Sequence, residues 1–501
     1  MDKGRFFTLL IIILLASTCV YWFIAHVNMH YISQQELSNS VNNPLNQSEE
    51  NRLEESVENV ESTINETQST GQIKPYEELE KARFGILQQY LNAMNAFPGA
   101  YPELVKFGAV WDRSAGPADS FFRWGLIEKS PGEYDWSETD KYVKWCGENR
   151  RLPVAVIWPY AEWDQVQTYG GYYQKVPGNL DAYKEFVKKL VERYDGDGID
   201  DMPGLIYPIK YWEVLNEVTT RVWGGTVLGF FNGTAEEYYK ILKITYEAIK
   251  EADPEAKVLN AGIADMTIGN EYGEIECRAF YSKVFELGGA NYFDIANIHW
   301  IYNLDAFIEF LHSYNIKKPI WITEAEFAQT WTGKSVEEAV IDIVKSFWKG
   351  VEKIIIVPPG PGDMEKAPLI YDGLKTMIKQ INYFDYIEKI NDNCYKFIAK
   401  NKIVYILWNS SIPDVVYIEA NNITIIDVYG RPTSIDGNYV SGLVYIVEYT
   451  SYNTSKAKVV NSVFCEEYSI IAVSNLYTIL DDITNLSEIF RYEIQIANIK
   501  S

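Results

Sequence analysis

The chain has 501 residues, 47% of them hydrophobic, and a formal charge of −24. That length can bury the core of a large domain plus a smaller one. So acidic a chain is a poor partner for nucleic acid or an anionic lipid surface, and we expect no nucleic-acid partner.

Lys3 and Arg5 precede an uncharged stretch from Phe6 to Ala25. Its length is close to the ~20 residues that a helix needs to cross a bilayer. Basic residues on its N-terminal side favour a cytoplasmic start. Residues 1–5 are therefore a short basic segment and 6–25 a transmembrane anchor or a signal peptide. No small-x-small cleavage site follows, and Tyr21, Trp22 and Phe23 suit an interfacial belt, so the anchor is preferred. Either reading exports the rest, placing the protein at the cell membrane with its bulk outside, or secreted. Sequons beginning at Asn46, Asn65, Asn232, Asn409, Asn422, Asn453 and Asn485 are compatible with that. The widely spaced Cys19, Cys146, Cys277, Cys394 and Cys465 form neither a disulfide framework nor a zinc pattern. Residues 26–74, rich in Ser, Asn, Gln and Glu, read as a disordered stalk.

From about Pro75 short apolar runs alternate with amphipathic segments. Expected strands are Val105–Val110, Phe121–Trp124, Leu152–Ile157, Ile209–Val214, Ala256–Leu259, Phe293–Ile298, Pro319–Thr323 and Lys353–Val357. Periodic helices fall between them, including Leu180–Arg193, Ala235–Glu251 and Val336–Trp348. Eight such units over residues 75–385 predict an α/β fold, a (β/α)8 TIM barrel; a doubly wound sheet is the alternative on pattern alone. Residues 386–450 lose the helices. Lys396–Ile398, Ile403–Trp408, Val415–Glu419, Ile423–Val428 and Val444–Val447 alternate with turns, predicting a smaller antiparallel, sandwich-like β-domain. Residues 451–501 offer one candidate strand, Tyr468–Val473, and otherwise no clear pattern.

Two carboxylates stand where barrel strands should end. Trp212-Glu213-Val214-Leu215-Asn216-Glu217 closes one apolar run and Pro319-Ile320-Trp321-Ile322-Thr323-Glu324 another. Catalytic groups sit on that face of a barrel, and two converging carboxyls can cleave a glycosidic bond. The acid of such a pair must keep its proton until the leaving oxygen takes it, which burial favours. We assign acid/base to Glu217 and nucleophile to Glu324. Glu326 shares the parity of Glu324, but the strand should stop near Thr323, leaving Glu324 at the rim.

These motifs, in their order, resemble the clan A glycoside hydrolases, especially families around 39 (β-xylosidase and iduronidase types), with 42, 5 and 10 as relatives. Phe122-Arg123-Trp124 with Pro131-Gly132-Glu133-Tyr134-Asp135-Trp136 is similar to the clan's second strand and loop. Asn216-Glu217 resembles its fourth-strand motif, Ile295-Ala296-Asn297-Ile298-His299 the sixth strand, and Ile322-Thr323-Glu324 the seventh. Asp427-Val428-Tyr429-Gly430 resembles a turn of the attached β-domain. The resemblance implies a retaining O-glycosyl hydrolase acting on β-linked oligosaccharide, polysaccharide or glycoconjugate, without cofactor or metal. It also implies Asn216 as a ligand of the sugar 2-hydroxyl, Arg123 as support of the nucleophile, and His299 in the pocket. Tyr302 stands three residues after His299, where relatives carry a tyrosine two residues after it. Glu326 replaces a common glycine. Pro358-Pro359-Gly360-Pro361-Gly362 stands where many relatives carry a tryptophan platform.

Trp111 and Trp158, at expected strand ends, are candidate sugar platforms or core residues, and Trp223, beside Gly224-Gly225, is a candidate lining of an aglycone subsite. Asp195-Gly196-Asp197-Gly198-Ile199-Asp200-Asp201 has a calcium-like look but lacks the EF-hand spacing, so we read a structural turn. A carbohydrate-binding or adhesion protein on a glycosidase scaffold is the alternative function.

Overall fold

The computed structural model describes residues 75–449, apart from 97–99, 114–120, 166–175, 220–221, 224–225, 228–229, 265, 267–273, 329–331, 359–366, 414–422 and 436. The expected anchor, stalk and final segment, and the strand Val415–Glu419, lie outside the described residues. Among the described residues, no helix is long and apolar enough to cross a membrane.

Eight parallel strands form the larger sheet: β1 (Phe84–Leu87), β2 (Trp111–Arg113), β3 (Leu152–Ile157), β4 (Tyr211–Asn216), β5 (Lys257–Gly262), β6 (Ala296–His299), β7 (Ile320–Ala325) and β8 (Val351–Ile356). Their spatial order is β6-β7-β8-β1-β2-β3-β4-β5. Bridges from Leu259 to Ile295 and from Ile263 to Ile298 join the two ends, so the sheet closes into a barrel. Helices alternate with the strands: α1 (Ser137–Glu148), α2 (Leu180–Glu192), α3 (Ala235–Ala252), α4 (Glu274–Glu286), α5 (Leu304–Ser313), α6 (Val336–Trp348) and α7 (Ala367–Ile381). α2 shows why they pack: Tyr183, Phe186, Val187, Leu190 and Val191 form one buried stripe at helical spacing. α3 and α6 begin with reciprocal capping boxes, Thr234 with Glu237 and Ser335 with Glu338. Each N-cap contributes about 1 kcal/mol.

The first two strands differ from the expected ones. Val105–Val110 is not a strand; its first half lies in the 3-10 helix Pro102–Phe107, and Phe121–Trp124 is a turn entering a short helix. The true β1, Phe84-Gly85-Ile86-Leu87, has only four residues and a glycine in its middle. That glycine is required. A Cβ on Gly85 would lie 2.7 Å from the Trp111 carbonyl oxygen, so only glycine lets β1 and β2 approach.

The barrel interior is layered. At the N-terminal end, Trp111, Tyr211 and Trp321 pack with ring centroids 4.9–5.2 Å apart. Lys353 lies over Trp111 and donates to the Ala82 carbonyl (3.0 Å). This layer plugs the bottom. A cluster of charged side chains, Arg113, Glu213, Glu217 and Glu324, lies above it, toward the strands' C-terminal ends.

The smaller domain is a single antiparallel sheet of five strands among the described residues: β9 (Phe384–Asn391), β10 (Cys394–Ala399), β11 (Lys402–Ser411), β12 (Ile423–Asp427) and β13 (Tyr439–Tyr449). Their order is β9-β10-β11-β13-β12. One face joins the barrel's core: Phe384 meets Phe347 of α6 edge to face at 5.1 Å, and Tyr395 meets Trp348 at 6.2 Å. A second apolar cluster, including Tyr405, Leu407 and Ile446, occupies the other face. The sequence pattern missed β9 because its burial does not alternate.

Candidate active site

Arg113, the last residue of β2, organises the centre. It is fully buried and reaches four acceptor oxygens on three side chains. Nε donates to Glu213 Oε2 (2.7 Å) and Nη2 to Glu213 Oε1 (2.8 Å), a fork across a fully buried carboxylate. Nη1 donates to Glu324 Oε1 (2.8 Å), and Nη2 also to Asn216 Oδ1 (2.7 Å). Burial alone would lower the pKa of the guanidinium. The Glu213 and Glu324 carboxylates outweigh it and hold the charge in place.

Asn216 and Glu217 reach the barrel mouth through an irregular strand end. Tyr211 and Glu213 point inward, so plain alternation would send Asn216 outward. Leu215 at φ 66° and Glu217 at φ 38° break that alternation. Left-handed backbone in non-glycine residues costs about 1–3 kcal/mol each. It turns Asn216 onto Arg113 and Glu217 onto His299. A register shift between β6 and β7, where His299 pairs with Glu324 instead of Thr323, likewise brings Glu324 into the mouth.

His299, at the end of β6, is fully buried. It fits because β5 ends in Gly262, where a Cβ would lie 1.9 Å from Nε2. Nδ1 stands 2.7 Å from Glu217 Oε1 and 3.8 Å from Glu324 Oε1, while Nε2 stands 3.1 Å from Thr323 Oγ1. The neighbours fix the tautomer. Asn297 Nδ2 donates to the Asn260 carbonyl, so its Oδ1 accepts from the Thr323 hydroxyl (2.8 Å). Thr323, its proton spent, can only accept from His299 Nε2–H. Nδ1 is thereby left for Glu217, and so short a contact requires one proton between the two atoms.

Burial pulls the pKa of His299 down, but Glu324 and Glu217 raise it by more, against a smaller opposing effect of Arg113. The net shift is above the ordinary 6.5. A raised folded-state pKa gives stability that is fully present below the unfolded value and lost as pH rises through the folded one. The stability difference between wild type and His299→Gln should therefore shrink as pH rises above 6.5. Thermal unfolding of both proteins across pH 5–9 checks this, and a difference independent of pH contradicts it.

The remaining expected site residues lie as follows. The arginine on Glu324 is Arg113; Arg123 instead pairs with Glu162 at the rim (3.3 Å). The error follows from the strand assignment, since taking Phe121–Trp124 as a strand gave the second-strand arginine the wrong number. Trp111 is core at the bottom of the barrel, because β2 starts at this residue where the expected strand ended just before it. Trp158, just past β3, is fully buried against Tyr160 and Phe230, with no face open to a ligand. Tyr302 stands in the single turn Ile301–Asn303, 48% exposed. The side chain of Trp223 lies outside the described residues. Glu326 is buried and turned away from the mouth, accepting from Ile301 N (2.7 Å) and pairing with Lys334 (3.2 Å). The 195–201 segment is a turn in which Asp201 accepts from Gly196 N and Gly198 N, and Asp195 from Asp197 N. Sequence reasoning assigned no role to Arg113, Glu213 or Thr323.

No protein-family model matches the chain, nor does any curated protein. Among solved structures, the chain is similar to a GH39 β-xylosidase from Caulobacter crescentus, with 14% identity and a TM-score of 0.49 over 74% of this chain and 96% of that one. It is similar to a glucosidase from Croceicoccus marinus, with 14% identity and a TM-score of 0.48 over 74% and 96%. It is also similar to a family 39 glycoside hydrolase from Bacteroides cellulosilyticus WH2, with 13% identity and a TM-score of 0.48 over 74% and 82%.

Proposed function

We propose that the chain is a retaining glycoside hydrolase acting on β-linked sugars, with Glu217 as acid/base and Glu324 as nucleophile. One observation carries this reading. A carboxylate oxygen of Glu217 and one of Glu324 lie within 4.8 Å of each other, with His299 between, at the C-terminal ends of barrel strands. Retaining pairs stand ~5–5.5 Å apart, whereas inverting pairs need ~6.5–9.5 Å to admit a water.

The surroundings support the roles. The Arg113 guanidinium donates to Glu324 Oε1 at 2.8 Å, which sets a cation beside the proposed nucleophile and orients its carboxylate. Glu324 attacks the anomeric carbon, the bond to the leaving oxygen breaks, and Glu217 gives that oxygen a proton. Water then attacks the glycosyl ester, Glu217 takes the proton back, and the sugar leaves with its configuration kept. With its Oδ1 held by Arg113, Asn216 has its amide N–H groups left to donate to a sugar 2-hydroxyl. No step calls for a cofactor. The Phe6–Ala25 stretch supports export, with the barrel tethered outside the membrane.

Release of fluorophore from a panel of aryl β-glycosides by the full chain tests the reading, with hydrolysis of β-linked polysaccharides alongside. Turnover is expected in wild type and not in Glu217→Gln on polysaccharide. Sugar binding without turnover on any substrate would move the assignment to a carbohydrate-binding protein.

A further inference from the structure

The residue after His299 has a contorted backbone. Trp300 lies at φ 62°, ψ 126°, a combination that a bulky L-residue rarely adopts. Glycine, with no Cβ, would take it with less strain, yet the chain places its largest side chain there. A backbone of this kind persists only where its surroundings over-determine it, and here they do. Trp300 N donates to the Glu324 carbonyl (2.7 Å), so the strained residue is tied to the nucleophile's own backbone. Asn303 N donates back to the Trp300 carbonyl (3.1 Å). The next amide, Ile301 N, donates to the buried carboxylate of Glu326 (2.7 Å), which Lys334 neutralises.

The network holds the backbone from which the indole projects. Its ring stands nearly perpendicular to that of His299, with centroids 6.2 Å apart, and it is only partly buried. His299 in turn touches Glu217. The indole is thus one ring away from the acid/base pair. By contrast, Trp111 and Trp158 are sealed in the core.

We infer that Trp300 is the aromatic wall on which the sugar ring bound at the two carboxylates stacks, and that Glu326 is a positioning residue that holds this wall in place. The inference rests on the glycosidase reading and names a binding contact within it. An indole offers a flat apolar surface to the C–H face of a pyranose, while the carboxylates and Asn216 address its hydroxyl edge. Glu326 acts through the backbone: its carboxylate fixes Ile301 N and hence the turn that aims the indole.

The test is a comparison of Trp300→Gly, Trp300→Phe, Glu326→Ala and Glu326→Gln in the full chain, on an aryl glycoside that wild type turns over. Glycine relieves the backbone, so the fold should hold. KM should rise about tenfold or more, with a smaller change in kcat. Phenylalanine should recover much of the loss; Glu326→Ala, which takes the acceptor from Ile301 N, should raise KM in the same direction, Glu326→Gln should recover part of that loss, and a Glu326→Ala KM equal to that of wild type would remove the positioning role. A Trp300→Gly KM within about twofold of wild type overturns the inference, even where wild-type turnover upholds the glycosidase reading. Were wild type to bind β-linked oligosaccharides by calorimetry without turning them over, loss of binding in Trp300→Gly would keep the inference and sink the glycosidase reading. Equal binding in that variant, or no sugar bound by either protein, would sink the inference too.

Discussion

Glu324→Ala should lose ~10⁴-fold or more in kcat while folding as well as wild type. The two halves of this result have separate causes. In the proposed mechanism the carboxylate attacks the anomeric carbon, and among the described residues Glu326 does not stand in for it, being turned to Ile301 N and Lys334. The fold holds because Arg113 keeps its fork to Glu213 and its bond to Asn216. The variant also removes a carboxylate within 4.8 Å of another, so its Tm should be unchanged or higher. Azide can enter the space left by the side chain and attack in its place. Added azide should therefore restore part of the turnover and give the α-glycosyl azide, because a single displacement inverts the anomeric carbon. Steady-state rates with and without azide, and unfolding curves, check both halves. Near-normal turnover in the variant would remove Glu324 from the mechanism.

The second large effect is expected at Arg113, where activity and stability should fall together. Arg113→Met leaves Glu213 fully buried and without its counter-ion. Stranding a buried charge in this way costs about 3–5 kcal/mol. The same change removes the cation that hydrogen-bonds and orients Glu324, and kcat should drop on the order of 10²-fold or more. Arg113→Lys keeps the charge but cannot reproduce the fork on Glu213 and the separate bond to Glu324, so it should remain impaired in both respects. The double variant Arg113→Met with Glu213→Gln separates the effects. Removing the stranded charge should recover much of the stability and none of the activity. Denaturant unfolding and kinetics on the four proteins check this. A double variant no more stable than Arg113→Met would mean that the Arg113–Glu213 pair does not bear the stability assigned to it.

What the sequence disclosed depended on whether the signal was local. Glu217 and Glu324 could be picked out as candidates because each stands at the C-terminal end of a strand built on a buried apolar run. α2 was legible because its buried stripe keeps helical spacing for thirteen residues. β1 was not, since four residues with a central glycine carry no pattern of their own; Gly85 has meaning only against Trp111. Missing β1 shifted the count of strands, and with it the choice between Arg113 and Arg123. The same shift put Trp111 at a strand's end when it stands at a strand's start. The turn of Asn216 and Glu217 into one mouth depends on left-handed backbone at Leu215, which residue types do not announce. The chain from Asn297 through Thr323 to His299 joins two strands, and its direction follows from which atoms meet across them.

The central claim is that Glu324 attacks carbon and Glu217 handles the proton, and the stereochemistry of the first-formed product tests it most directly. Proton NMR of the anomeric signals should be followed during the first minutes of hydrolysis of an aryl β-glycoside, before mutarotation. The account predicts that the β-anomer appears first and the α-anomer grows in later. An α-anomer formed first would mean a single inverting displacement by water, and would contradict the roles given to both carboxylates.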